Sequence, residues 1–213
     1  MNRNQLLFCF LVFVIPVFAG HRPYQEKSNG VVFRGSYWGN DDRDVSTQVV
    51  TQGLDNTVSV SGYGGWIEFF SRIDDQLYVT WGFGSSVDVQ ISDHFLSQND
   101  VHSKSVTPLV LGVQYHVLPV AKQSVLQPYV QFGAGPYWIH EAKTENRFLG
   151  YEETTIKSHM KFGANIGGGT FFRVSNSFAL NFDMKYHLVD FDTDHDFSGF
   201  EVGFGCCFLW GAY

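Results

Sequence analysis

The chain has 213 residues, of which 44% are hydrophobic and 17% aromatic, and its formal net charge is -7. It lacks the clustered lysine and arginine with which a protein neutralises phosphates, so nucleic acid is excluded as a partner. After the N-terminus no apolar run reaches the about 20 residues of a transmembrane helix, while glycine and aromatic residues are abundant, as in strands and turns.

The first 19 residues predict a cleaved secretion signal. Arg3 supplies the positive charge, residues 6–15 form an unbroken apolar core, and Ala19 is a small residue at the cleavage position. The apolar run is short for a membrane span and breaks at Pro16, which disfavours a retained anchor. We therefore expect a signal peptide over residues 1–19 and one domain over residues 20–213.

From Val31 onward, about eight stretches alternate apolar and polar residues, the period expected of strands with one apolar face. The first two, around residues 31–39 and 58–70, alternate less cleanly than the others. In the next four the apolar residues occupy every second position, and they are Leu77, Val79, Trp81 and Phe83; Leu109, Leu111, Val113, Tyr115 and Val117; Val130, Phe132, Ala134 and Trp138; and Met160, Phe162, Ala164, Ile166 and Phe172.

The last two stretches have the clearest alternation. In the first of them an apolar set opposes Asn181, Asp183, Lys185 and His187, and in the second an apolar set opposes Gly199, Glu201, Gly203 and Gly205. The neighbouring Cys206 and Cys207 lie in this last stretch, where successive side chains point to opposite faces. We therefore expect no disulfide between them.

The predicted connections alternate between long and short. They are long at residues 40–57, short at 72–76, long at 90–105, intermediate at 119–127, long at 141–156, very short at 175–177 and brief around 190–196. Transmembrane barrels have short periplasmic turns and longer external loops. With a periplasmic N-terminus, every long loop is expected outside the cell.

Charged residues are confined to one face of the clearest strands, opposite the apolar set. A lysine or arginine facing lipid at the bilayer centre costs about 2–4 kcal/mol, so this one-sided absence favours a membrane-facing apolar set. We expect a network of charged residues that pair across the lumen, formed by Arg34, Glu68, Lys161, Arg173, Asp183, Lys185 and Glu201.

Alternation alone does not exclude a soluble barrel that has its apolar face inside. Strands of about 9–11 residues, bulky aromatic residues near strand ends, and many inward glycines favour the membrane form. The sequence therefore predicts an all-β fold, an eight-stranded antiparallel up-and-down transmembrane β-barrel.

The segment that runs from Leu126 to Gly135 into Pro136-Tyr137-Trp138, and the strand pair that ends at Trp210, resemble the small outer-membrane β-barrel superfamily of opacity-type and OmpA-like or OmpW-like barrels. The resemblance implies a bacterial outer membrane location, contact with outer-membrane lipids and lipopolysaccharide, and recognition of the last strand and Tyr213 by the barrel-assembly machinery. A closed barrel has no exposed strand edges, which makes a monomer the expected state.

Three functions remain open from the sequence. A non-enzymatic scaffold that presents external loops is favoured, because no catalytic, cofactor or metal constellation is predicted. The inward glycines suggest a narrow channel or carrier for small or hydrophobic solutes, and inward His159 and His187 alone suggest a lipid-modifying enzyme. The acidic segment from Asp190 to Asp196 begins like a calcium loop but has histidine where glycine is required, so a dedicated calcium site is not expected.

Overall fold

The computed structural model describes residues 27–40, 48–52, 55–94, 98–118, 125–147, 151–189 and 198–211. The predicted signal peptide, the acidic segment from Asp190 to Asp196 and Tyr213 lie outside these residues. Within them, no helix is long and apolar enough to cross a membrane. The strands of the described part are β1 (Asn29–Asn40), β2 (Gln48–Gln52), β3 (Asp55–Arg72), β4 (Leu77–His94), β5 (Gln98–His116), β6 (Leu126–Arg147), β7 (Tyr151–Arg173), β8 (Phe178–Leu188) and β9 (Gly199–Trp210).

Eight of these strands close into an antiparallel barrel. Each pairs with its neighbour in sequence order from β3 to β9, and β1 closes the ring by pairing with both β9 and β3. The short β2 is additional, and among the described residues it pairs with the far end of β3 alone. The predicted all-β fold with eight antiparallel barrel strands is therefore confirmed.

The apolar face of each strand points out of the barrel. Leu111 and Phe162, for example, are 68% and 76% exposed, whereas the charged Arg34, Asp183 and Lys185 are buried inside. A continuous apolar exterior of this kind needs lipid as its solvent. This orientation confirms the membrane barrel over the inverted soluble one. Cys206 and Cys207 are on opposite faces and unbonded, as predicted.

Strand β3 contains a register shift that explains its weak alternation in the sequence. Its pairing with β4 slips between Val60 and Tyr63, and Gly62 there has a φ of 79°, a left-handed conformation that favours glycine. The backbone N–H of Gly62 donates to Asp88 Oδ1 at 2.7 Å. An extra residue reverses which face the later side chains occupy, so one strict period cannot describe the strand.

The strands extend well past the barrel on one side. β6 and β7 have 22 and 23 residues, whereas β8 and β9 have 11 and 12, close to the about 9–11 that a tilted span needs. The prediction of loops at residues 40–57, 90–105 and 141–156 is therefore wrong for most of these residues, which belong to strands. Beyond the bilayer neither face of a strand meets lipid, so the alternation that reveals a strand is lost.

A charged residue on the outward face of β5 should destabilise the barrel according to its depth in the membrane. Leu111→Arg is expected to lower the free energy of unfolding by about 2–4 kcal/mol, because Leu111 lies within the apolar belt. Urea unfolding of the protein in lipid vesicles, followed by tryptophan fluorescence, measures the change.

Ser103→Arg is the matched control for this substitution. Ser103 lies on the same strand and has the same outward parity, but it is nearer the outer end, beyond the apolar belt. Its replacement should leave the unfolding midpoint nearly unchanged. Equal losses for the two variants would contradict the assigned membrane belt.

Candidate functional site

Inward side chains fill the lumen in three layers. The inner end is the one with the short turns at residues 73–76 and 174–177, and a polar layer separates two apolar clusters. The outer cluster consists of Trp38, Trp66, Val106, Val110, Tyr137, Ile139 and Val189. The inner cluster consists of Val32, Phe70, Tyr78, Tyr129, Phe171, Ala179, Cys207 and Leu209.

The polar layer contains a compact group of two cations and two carboxylates, which we call the ion cluster: Arg34, Glu68, Asp183 and Lys185. Arg34 donates to Asp183, and its Nη2 lies 3.2 Å from Glu68 Oε2. Lys185 Nζ lies 2.8 Å from the same Glu68 oxygen and 3.6 Å from Asp183 Oδ2. All four side chains are buried, so each charge is balanced by opposite charges within the cluster.

The strands around the ion cluster leave the space that it needs. Asp183 and Lys185 are two positions apart on β8 and therefore share its inward face. On the adjacent β9, a Cβ atom at Gly203 would lie 2.6 Å from Asp183 Oδ1 and 3.2 Å from Arg34 Cδ. Only glycine leaves room there for the Arg34 and Asp183 side chains to meet. Lys185 Nζ also lies 4.7 Å from the centroid of a Trp66 ring, within the range of a cation–π contact.

Glu201 belongs to a second polar group, centred on His187. His187 Nε2 lies 2.8 Å from Glu201 Oε2, and its Nδ1 lies 3.0 Å from the hydroxyl oxygen of Tyr137. The imidazole also stacks on Trp38, with ring centroids 4.0 Å apart, and more distantly on Trp66 at 6.0 Å. His187 therefore joins the outer apolar cluster to the polar layer.

The remaining predicted network residues lie away from the ion cluster. Arg173 is buried near the inner end, where its Nη1 lies 3.5 Å from the carbonyl oxygen of Asn176. Lys161 is half-buried towards the outer end of β7, at the register position of Tyr137. His159, which the sequence placed in the lumen, is exposed instead. Alternation gives the face of a residue but not its height along the strand.

The sequence did not identify the aromatic filling of the inner half. Asn181 links this region to the ion cluster, because its Nδ2 donates to the hydroxyl oxygen of Tyr129 at 3.0 Å and its Oδ1 accepts from Arg34 Nη1 at 3.5 Å. Below it, His116 stacks on Tyr78 with ring centroids 4.4 Å apart, and Phe171 stacks on Tyr129 at 5.0 Å. The available signal was an aromatic residue at an inward position of several strands, among otherwise small and polar neighbours.

Two of the glycines that the sequence placed in the lumen lie beneath aromatic rings. The ring of Trp66 covers Gly84, and the ring of Tyr137 covers Gly163. Two cavities within the described lumen each measure about 10 Å³, which is room for about one water molecule. In these positions glycine accommodates an aromatic ring from another strand.

Breaking the ion cluster at one residue should destabilise the barrel strongly. Glu68→Gln leaves Arg34 and Lys185 facing only Asp183, and an uncompensated buried charge of this kind costs about 3–5 kcal/mol. The double variant Glu68→Gln/Lys185→Met removes one charge of each sign and should recover part of that loss. A double-mutant cycle on urea midpoints measures the coupling.

The half-exposed pair of Lys104 and Glu141, with Nζ and Oε1 3.1 Å apart, provides the control. Lys104→Met should change the free energy of unfolding by no more than about 1 kcal/mol, because solvent screens the pair. Additive losses for Glu68→Gln and Lys185→Met would mean that these two residues are not coupled.

Comparisons with known proteins agree with this architecture. The family model for the outer membrane protein beta-barrel domain matches residues 6–208. OprG of Pseudomonas aeruginosa aligns with a TM-score of 0.54 at 12% identity, over 91% of this chain and 100% of that one. Ail of Yersinia pestis, solved with the heparin analogue sucrose octasulfate, aligns with a TM-score of 0.47 at 12% identity, over 87% and 98% of the two chains. A search of curated proteins found no match.

The family match spans most of the chain, and the likeness to OprG shows the same fold. Both agree with the apolar exterior and the closed ring of strands. The chain therefore belongs to the outer membrane protein beta-barrel domain family and is a transmembrane barrel of the bacterial outer membrane.

Proposed function

We propose that the protein is a non-enzymatic, non-conducting scaffold of the outer membrane that carries an external β-sheet as a surface for contacts outside the cell. The observation that carries this proposal is the filled lumen, in which two apolar clusters and the polar layer lie in series. We expect a monomer in contact with outer-membrane lipids and lipopolysaccharide, assembled through recognition of its last strand and Tyr213.

The filling of the lumen argues against steady conduction. An ion would have to pass the outer cluster, the ion cluster and the inner cluster in turn, and each is closely packed. The inward glycines that suggested a solute path support it less, because aromatic rings cover Gly84 and Gly163. A channel or carrier therefore ranks below the scaffold.

The length of the strands supports the external surface. Strands β4 to β7 have between 18 and 23 residues, so they continue past the rim formed by β8, β9 and β1. A chain that needed only to cross the membrane would not require the extra residues. We call this extension, with β2 and the outer end of β3, the external sheet.

The observed contacts of His187 do not favour a lipid-modifying enzyme. His187 is fully buried in the lumen and is held by Glu201 and Tyr137. His159, the other histidine on which the enzyme hypothesis rested, is exposed on the external sheet. A lipid outside the barrel has no access to the buried imidazole.

The protein should be electrically silent in planar lipid bilayers. We expect no steady single-channel steps in salt solution, because the three layers close the lumen. Discrete and stable conductance steps from purified, folded protein would overturn the proposal.

Variants that remove filling from one layer or from all three test the sensitivity of this assay. Trp66→Ala opens only the outer cluster and should remain silent, whereas Trp66→Ala/Arg34→Ala/Asp183→Ala/Tyr129→Ala opens all three layers and should produce conductance steps. Heat-modifiable gel migration confirms that each variant has folded.

The external sheet should be accessible on intact cells. In a Cys206→Ser/Cys207→Ala background, Ser158→Cys on β7 should react with a membrane-impermeant maleimide, since residue 158 is exposed beyond the barrel. Ser177→Cys, in the short inner turn, should react only after the outer membrane is permeabilised. The reverse labelling pattern would mean that the external sheet faces the periplasm.

A further inference from the structure

We propose that the outer edge of β7 binds an extended segment of another polypeptide that carries acidic side chains at alternate positions. This inference rests on the proposed function, because it names the partner of the external sheet. The edge in question is formed by residues 154–161, whose side chains the structure describes.

Strand β7 has two partner strands inside the barrel, whereas outside it the structure describes one, β6. It pairs with β6 along nearly its whole length, whereas its pairing with β8 is confined to the part between Ala164 and Arg173. Among the described residues, no strand pairs with the other side of β7 beyond Ala164. At the opposite end of the external sheet, β2 covers the edge of β3. Among the described residues, therefore, one external edge is covered by a strand and the other is not.

An open strand edge presents a row of backbone N–H and C=O groups at the spacing of a partner strand. Pairing of an extended peptide with such an edge is a general mode of recognition, in which side-chain positions determine specificity. Residues 154–160 of β7 are exposed throughout, so the side chains that the structure describes leave the edge accessible. The backbone geometry of the region therefore suits the addition of a strand.

The side chains of the edge define the chemistry of the partner. On one face lie Ile156 and Met160, which are 71% and 62% exposed. On the other face lie Lys157, His159 and Lys161. A complementary strand would alternate acidic residues, opposite the lysine face, with apolar residues, opposite Ile156 and Met160.

The cross-strand neighbour of Lys157 strengthens this assignment. Lys157 lies opposite Glu141 in the register of β6 and β7, but Glu141 is bonded to Lys104 on its other side, at 3.1 Å. Lys157 forms no ion pair with a residue that the structure describes.

A second copy of the chain fits this edge less well. All copies in one membrane have the same orientation, so two β7 edges could meet only as parallel strands. Such a pair is related by a two-fold axis along the strands, so the Lys157 face of one copy would continue into the Ile156 face of the other and no lysine would gain a counter-charge. An acidic segment supplies that counter-charge, which favours a different polypeptide as the partner.

The test uses the whole protein refolded into detergent micelles and a fluorescent nine-residue peptide of alternating glutamate and valine. Binding is measured by fluorescence anisotropy at low salt. We compare this peptide with an N-methylated derivative of the same sequence. In the derivative, alternate backbone nitrogens along each edge of the peptide carry a methyl group. Methylation removes the backbone donors without changing charge, so a loss of roughly tenfold or more in affinity is expected if the strands pair.

Two substitutions locate the binding site. Lys157→Glu at the edge should weaken binding of the acidic peptide at least tenfold and improve binding of a peptide in which lysine replaces glutamate. Lys143→Glu, on the same face of β6 but one strand away from the edge, makes the same change in net charge and should have a smaller effect. Gel migration before and after heating confirms that both variants fold.

Three other results of these experiments would overturn the inference. Equal affinity for the methylated derivative would show a charge interaction without strand pairing. Absence of binding would show that the edge is not available. Concentration-dependent dimers that Lys157→Glu disrupts would identify a second copy as the occupant. The conductance and labelling experiments do not depend on these results, so the scaffold function can stand if strand addition fails.

Discussion

The bilayer offers no hydrogen-bond partners to a polypeptide, and the rest of this structure follows from that constraint. Every backbone N–H and C=O within the membrane must find a partner in another strand, which is satisfied only when β1 pairs with both β9 and β3. Closure then assigns one face of each strand to lipid. The other face is confined to a narrow interior, where its polar groups must satisfy one another.

In the polar layer, the charged groups of the ion cluster satisfy one another. Arg34, Glu68, Asp183 and Lys185 come from three strands that are far apart in sequence, and they meet only when the ring is closed. A buried ion pair adds little stability compared with a well-packed apolar pair, but removal of one member is costly. The cluster therefore penalises barrels with slipped registers, which would leave its charges unpaired. We regard specification of the strand register as its main structural effect.

The sequence predicted the strands within the membrane because lipid enforces a period of two there. It assigned Asp183, Lys185 and Glu201 to the inward face for the same reason. It did not predict that Glu201 bonds to His187 rather than to an arginine, or that Lys161 and Arg173 lie towards opposite ends, because alternation contains no information on height. It also missed the outer parts of β6 and β7, where no lipid constrains either face.

The same constraint explains why an open strand edge can exist outside the membrane. Within the bilayer an unpaired edge on β7 would cost several kcal/mol for each unsatisfied backbone group, so pairing with β8 is maintained as far as Ala164. Beyond that height water can satisfy the edge, and β8 ends without penalty. Water is, however, a partner that a peptide strand can displace. The residues that extend β7 past the barrel therefore form an edge that no described strand covers, with Lys157 and Ile156 on its two faces.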